Sequence, residues 1–224
     1  MKVEIWSDVM CPFCYIGKRR FEQALQQFDH SDNIQLEWRS FQLNPGMETN
    51  PDASINEYLA ETKGWTLDQA QQMNQRVTEM AKSVDLTYDF DQAVVANSFD
   101  AHRLIQFAKT LDKGGQAEEA LFHAYFTEGK NVSDHKTLSA IAEQIGLDPN
   151  NVKTVLNSDQ FANAVKHDIE VAGSLEIRGV PFFLFNRKYA ISGAQEKDVF
   201  LKALDKSYKE WQDKKEANSA TSVD

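Results

Sequence analysis

The chain holds two cysteines in 224 residues, Cys11 and Cys14, and they sit three apart in the segment Met10-Cys11-Pro12-Phe13-Cys14. A pair at that spacing has three uses: a dithiol that cycles to a disulfide, half of a metal site, or two small residues of a core. Zinc takes four ligands from Cys and His, or three with a water. No second cysteine pair exists, and His30, His102, His123, His135 and His167 show neither an i, i+4 pair nor a local cluster, so no metal site is expected. A bridge closing so small a loop restricts the unfolded chain very little, which argues against a structural disulfide.

The flanking sequence favours the redox use. Residues 2–7 alternate in the β-branched and aromatic pattern of a strand, Asp8, Val9 and Met10 form a turn, and Pro12 occupies a first helical position where its missing N–H costs nothing. Cys11 is then the N-cap and Cys14 the third helical residue. In that frame the N–H groups of Phe13 and Cys14 point at the Cys11 sulfur and the helix dipole adds positive charge there, both favouring the attacking thiolate. Three residues make about five-sixths of a turn, which brings Cys14 beneath Cys11 within bridging reach. Cys11 is expected to be the nucleophile and Cys14 the thiol that resolves the mixed disulfide, with Phe13 as an apolar rim.

The elements that must hold this pair are legible at both ends of the chain. After the first helix, residues 34–43 alternate again, giving a β-α-β unit that favours a parallel pair with a right-handed crossover. About a hundred residues then read as all-helical, with helices expected from Thr66 to Val84, from Asn97 or Ser98 to Leu111, from Gln116 to Thr127, from a Ser133 cap to Gly146, and a short one from Asp148-Pro149. Strand signals return in residues 181–185 and 189–193, and a last helix is expected over 195–211. Neither end has enough strands to bury a sheet face alone, so the two ends are expected to share one sheet. The predicted class is α/β, a split domain of residues 1–44 and 159–212, an inserted helical domain over 45–158, and a disordered tail over 213–224.

Composition narrows the partners. A 42% hydrophobic chain of this length can bury a sizeable core, and a net charge of -10 repels phosphate backbones and anionic membrane surfaces, so neither nucleic acid nor membrane is an expected partner. No stretch approaches a membrane span or a secretory leader, and the chain reads as soluble and cytoplasmic. There a dithiol serves catalysis more often than structure. Oligomeric state is not legible.

A strand, CPFC at a helix start, a helical insertion and Val180-Pro181 before a hairpin together resemble the DsbA-type branch of the thioredoxin superfamily. The segments MCPFCYIGKRRFE, FQLNP, NSFDAHRL, LFHAYFTEGKNVSD and GVPFFLFNRKYAISGAQ are similar to its FrnE-like subgroup of dithiol-disulfide oxidoreductases or isomerases. The resemblance implies a thioredoxin fold, redox roles for Cys11 and Cys14, and a cis Val180-Pro181 bond facing the sulfurs, with Pro12, Phe13, Val180 and Pro181 lining the site where an extended substrate segment pairs. The implied substrates are protein or small-molecule disulfides, with no cofactor beyond the redox-active disulfide and glutathione as a candidate co-substrate. Phe13 stands where periplasmic relatives usually carry His. It supplies no hydrogen bond or positive charge to the Cys11 thiolate, so a mild, mostly reduced couple is expected. Two other readings remain open: a kappa-type glutathione transferase or chromene-carboxylate-type isomerase on the same fold, and a redox-regulated holdase. Asp8 reads as a solvated turn carboxylate or a proton relay, His102 as a satisfied structural histidine, Arg103 as solvated, and His123, Tyr125 and Phe126 as core or groove packing. Trp6 and Trp38 are expected in the core.

Overall fold

A computed structural model describes residues 1–220 of the chain. The chain begins with β1 (Lys2–Ser7), α1 (Pro12–Gln26) and β2 (Gln35–Ser40), continues through β3 (Asn50–Ser54), α2 (Ile55–Lys63), α3 (Leu67–Lys82), β4 (Val94–Val95), α4 (Phe99–Lys109), α5 (Gly114–Phe126), α6 (His135–Gln144), α7 (Pro149–Leu156) and α8 (Ala162–Ser174), and ends with β5 (Phe182–Phe185), β6 (Tyr189–Ser192) and α9 (Lys197–Ala220). Both ends of the chain meet in one four-stranded sheet of order β2-β1-β5-β6. β1 runs parallel to β2, with Lys2 opposite Gln35 and Ser7 opposite Ser40, and antiparallel to β5, with Trp6 opposite Phe182. The hairpin between β5 and β6 closes through Asn186, Arg187 and Lys188; Asn186 and Arg187 both have positive φ, and the Lys188 N–H donates to the Phe185 carbonyl at 2.9 Å.

α1 and α9 cover one face of the sheet. Phe21 of α1 packs on Phe183, Phe185 and Phe200 at centroid distances of 5.3, 6.2 and 5.5 Å, and each such fully buried ring contributes about 1.5–3 kcal/mol. On the other face Trp6 packs with Ala172 of α8 and Leu184 of β5 and donates its indole N–H to the Asp168 carbonyl at 3.0 Å. The Asp168 carboxylate takes the Ser40 N–H and the Arg39 guanidinium, pinning α8 across β2. Trp6 and Trp38 are both buried.

Several elements depart from the sequence reading. The middle of the chain is largely but not wholly helical, because β3 and β4 form a two-stranded antiparallel ladder through Asn50–Val95 and Ser54–Val94. β3 reads NPDAS, with a proline and no apolar alternation, so no strand signal exists there. α2 starts after Ser54, which with Glu57 forms an S-x-x-E start signal that the sequence reading passed over, although Ser54 makes no side-chain cap bond; α8 follows Phe161 in the left-handed region at φ 64°. The helix expected from Ser133 is capped by Asp134, whose carboxylate accepts from Thr137, while the Ser133 hydroxyl binds Asn131. α3 keeps the anticipated Thr66 cap, a reciprocal box with Gln69. α9 continues well past Trp211 to Ala220, so residues 213–220 are helical where disorder was expected; the stretch holds no Gly or Pro to stop it. Residues 221–224 of that tail lie outside the described residues. Among the described residues no helix is long and apolar enough to cross a membrane.

Candidate active site

β1 delivers the chain to a tight turn at Asp8. The Asp8 carbonyl accepts the Cys11 N–H at 2.9 Å, and its carboxylate accepts the N–H of Met10 at 3.2 Å and of Leu43 at 2.7 Å. Asp8 is buried, and Nε2 of the His102 imidazole of α4 lies 3.3 Å from Oδ1, the oxygen that also takes the Met10 N–H. The solvated carboxylate expected from sequence is therefore an internal clamp between the Cys11 turn and the segment after β2. Burial lowers the tendency of His102 to hold a proton, but the Asp8 and Glu118 carboxylates outweigh it and raise its pKa above the ordinary value.

Cys11 is the N-cap of α1 and Pro12 its first residue. The thiol does not cap the helix as anticipated. Cys14 N–H goes to the Cys11 carbonyl at 3.0 Å, and the Cys11 sulfhydryl donates to the Val180 carbonyl at 3.5 Å. The first turn closes on the Cys11 carbonyl instead. Both cysteines are free, Cys11 being 3% and Cys14 1% exposed. Burial pushes the Cys14 thiol well above its ordinary pKa, and the adjacent Cys11 sulfur pushes the same way.

The second half of the site comes from the far end of the chain. Because Trp6 pairs with Phe182, the residues just before β5 fall beside the Ser7–Asp8 end of β1. The Val180–Pro181 peptide there is cis, and the Pro181 carbonyl accepts the Gly193 N–H at 2.8 Å. Gly17, one turn along α1 from Cys14, makes room for this segment; a Cβ at Gly17 would stand 2.9 Å from Pro181 Cγ. The sequence offered a signal for it in a glycine within a helix, which carries a cost unless something approaches closely.

Cys11, Pro12 and Phe13 line a cavity of about 500 Å³ roofed by α2 and α3, with Met47, Tyr58 and Met73 on its walls. Phe13 is 37% exposed at its edge. The cavity brings Cys11, Pro12 and Phe13 together, while Val180 reaches the site through its carbonyl. Tyr88, absent from the sequence reading, donates to the Pro12 carbonyl at 2.8 Å and stacks with Tyr15. Tyr125 and Phe126 are buried as expected, but His123 is exposed, 3.7 Å from Glu128. Arg103 is buried, not solvated: it donates to the carbonyls of Val155, Ser158 and Gln160 and pairs with Asp100, closing the α4–α7 corner. Lys18 is also buried, paired with Glu22 and Glu119.

A family model described as a DSBA-like thioredoxin domain matches residues 2–205. The chain belongs to this DSBA-like family. Its fold is thioredoxin-like with an inserted helical domain. The uncharacterized protein YwbO of Bacillus subtilis (strain 168) is 30% identical over 210 residues, covering 90% of this chain and 94% of YwbO. A probable DsbA oxidoreductase from Streptomyces coelicolor is 35% identical and superposes with a TM-score of 0.88, over 94% of this chain and 91% of that one. The cytosolic disulfide reductase DsbM from Pseudomonas aeruginosa (14% identical, TM-score 0.65, 93% of this chain and 99% of DsbM) shares the fold. So does a 2-hydroxychromene-2-carboxylate isomerase (14%, 0.69, 95% of this chain and 98% of that one).

Proposed function

We propose that this DSBA-like protein is a thiol-disulfide oxidoreductase that reduces or isomerises protein or small-molecule disulfides in the cytoplasm, using Cys11 and Cys14. The observation that carries the reading is the pair of free thiols at the start of α1, with Cys11 Sγ 3.5 Å from the Val180 carbonyl and opening on the apolar cavity. The Cys11 thiolate attacks one sulfur of a substrate disulfide, and the other sulfur leaves as a thiolate. Cys14 then attacks Cys11, forming the Cys11–Cys14 disulfide and releasing the reduced substrate; in isomerisation the released thiolate attacks elsewhere before Cys14 does. Glutathione is the candidate co-substrate that restores the dithiol. The backbone at Val180, beside Pro181, pairs with an extended substrate, and Pro12, Phe13 and Pro181 border its side chains.

Insulin reduction with Cys11→Ser and Cys14→Ser proteins tests this. The first variant is expected to be inactive and the second to accumulate mixed disulfides; full activity of Cys11→Ser overturns the reading. The enclosed apolar cavity beside Cys11 favours one other reading, a glutathione-dependent isomerase or transferase acting on a small aromatic substrate. That chemistry needs no second thiol, so turnover of a chromene or aromatic halide unaffected by Cys14→Ser would establish it.

A further inference from the structure

The cavity beside Cys11 holds two neutral polar atoms that no other group of the chain satisfies. Ser98, at the start of α4, is 3% exposed and lines the cavity, and its hydroxyl makes no cap bond. Asn74, on the buried face of α3, is 7% exposed and stands in the wall between this cavity and a polar cleft bordered by Asn56. Its Nδ2 donates to Asn56 Oδ1 at 2.7 Å, toward the cleft, which leaves the other corner of the amide, Oδ1, for the cavity side. Ser98 Oγ and Asn74 Oδ1 have no hydrogen-bond partner among the described residues, yet neither is sealed in the interior as Ser7 Oγ and Glu118 Oε1 are. Each therefore opens on the space its residue lines. Polar side chains this deeply buried are ordinarily paired, so two of them facing one cavity point to a molecule that supplies the missing bonds.

The rest of the wall fixes the class of that molecule. A volume of about 500 Å³ suits a small molecule, not a folded partner. The lining includes Tyr58, Trp65, Phe90 and Phe126, and three of the chain's five methionines, Met10, Met47 and Met73, whose adaptable thioethers make favourable contacts with aromatic rings. Among the lining residues Asp8 and Lys63 carry charge. The Asp8 carboxylate is already engaged by Met10, Leu43 and His102, and Lys63 lies on the exposed last turn of α2. A charged group carried to the depth of Ser98 and Asn74 would find no counter-charge free to meet it, a costly arrangement, so the occupant is neutral there.

We propose that this cavity takes a neutral, hydroxyl-bearing aromatic small-molecule disulfide, read by Ser98 Oγ and Asn74 Oδ1, and presents its sulfurs to Cys11. The proposal rests on the dithiol reading above and names its substrate class. A ring hydroxyl can donate to Asn74 Oδ1, and it can both donate to and accept from Ser98 Oγ. In the reaction the Cys11 thiolate attacks one sulfur of the ligand, the ligand's S–S bond breaks, and the first aryl thiolate leaves. The Cys14 sulfur then bonds to Cys11 Sγ, the bond from Cys11 Sγ to the second aryl sulfur breaks, and that aryl thiolate leaves in turn. The ligand gains the two electrons that the protein dithiol loses, and the two thiol protons pass to the products or to solvent. Ser98 and Asn74 touch the ligand and no reacting sulfur; they set specificity.

Calorimetric titration of the protein carrying both Cys11→Ser and Cys14→Ser, which cannot react, separates recognition from chemistry. The probes are bis(para-hydroxyphenyl) disulfide, unsubstituted diphenyl disulfide and the para-carboxylate analogue. The hydroxyl compound is expected to bind, and the dicarboxylate to bind about tenfold or more weakly. Adding Ser98→Ala or Asn74→Leu should weaken the hydroxyl compound about fivefold each and leave diphenyl disulfide unchanged, which also reports an intact cavity. Unchanged affinity for the hydroxyl compound in both variants, or a dicarboxylate that binds as tightly, overturns the proposal. If Asn74→Leu does not fold without its Asn56 bond, Ser98→Ala, whose hydroxyl caps nothing, carries the same test alone. Wild-type protein should reduce the hydroxyl compound with a higher kcat/KM than the dicarboxylate. Failure of the dithiol reading looks different: the cysteine-free protein would keep this binding selectivity while wild type reduced neither insulin nor the bound disulfide.

Discussion

Replacing Glu119 by Gln removes the charge that ties the insertion to the helix bearing the thiols. The Glu119 carboxylate of α5 accepts from the Tyr15 hydroxyl, from Lys18 and from both terminal nitrogens of Arg19, all in α1. Burial raises its pKa, but the Arg19 and Lys18 cations and the Tyr15 hydroxyl outweigh that and hold it at about 2, against 4.5 for a free side chain. That difference corresponds to about 3 kcal/mol of preference for the ionised form. The Glu119 side chain is 33% exposed, so solvent screening reduces the contribution to ~1.5 kcal/mol. Glu119→Gln is expected to lower stability in urea by that amount at pH 7 and the melting temperature by about 3–6 °C. The pKa is depressed in the folded protein, so the stabilisation is complete above pH 4.5 and lost as pH falls toward about 2. The gap between wild type and variant should therefore close over that window. A gap of equal size at pH 7 and near pH 2 would show that Gln disturbs packing and not an ionic contact; no gap at pH 7 would show that solvent cancels the network.

His102→Ala leaves Asp8 buried with two backbone donors and no imidazole, and is expected to cost about 3 kcal/mol by urea unfolding at pH 6. The pKa of His102 is raised above 6.5, so its contribution is complete below 6.5 and fades as pH climbs through the folded value; a gap constant from pH 5 to 9 would contradict this. Gly17→Ala forces a methyl against Pro181 and should cost ~1–3 kcal/mol while slowing insulin reduction; unchanged turnover would mean that Pro181 is not seated by Gly17. Phe13→His places an imidazole beside Cys11, and redox titration against glutathione should find a more oxidising couple, by about 30 mV for each ~1.4 kcal/mol of thiolate stabilisation. An unmoved potential would refute the reading of Phe13.

The parts of the molecule legible in the sequence are those whose signals are local. β1, α1 and the β5–β6 hairpin follow from alternation, from Pro12 and from the turn residues, and these elements carry Cys11, Cys14, Val180 and Pro181. The residues that escaped depend on contacts between segments far apart in the chain. Asp8 reads as a turn carboxylate until α4 brings His102 to it across 94 positions. Arg103 reads as solvated until α7 presents its terminal carbonyls. Glu118 and Glu119 look alike in sequence, yet one is buried near His102 and Lys18 and the other binds Arg19 at the rim. Helical periodicity sets them about 100° apart around α5 and says nothing about what lies opposite.

These long-range contacts bear on what the insertion is for. The sheet holds the CPFC turn chiefly through backbone bonds and apolar packing, whereas most of the polar side chains that reach the turn and α1 come from the insertion, Glu196 on Arg20 being an exception. Tyr88 binds the Pro12 carbonyl, His102 holds Asp8, and Glu119 takes three residues of α1. An insertion serving only as a lid would contact the thiol helix through apolar surface at its open end. Here α4 and α5 approach it from the buried side, where low dielectric makes each charge consequential. Excising residues 45–158 would therefore strip away both the cavity and the side chains that clamp the CPFC turn and α1 from the buried side, leaving a sheet with two cysteines but without the groups that hold them in place.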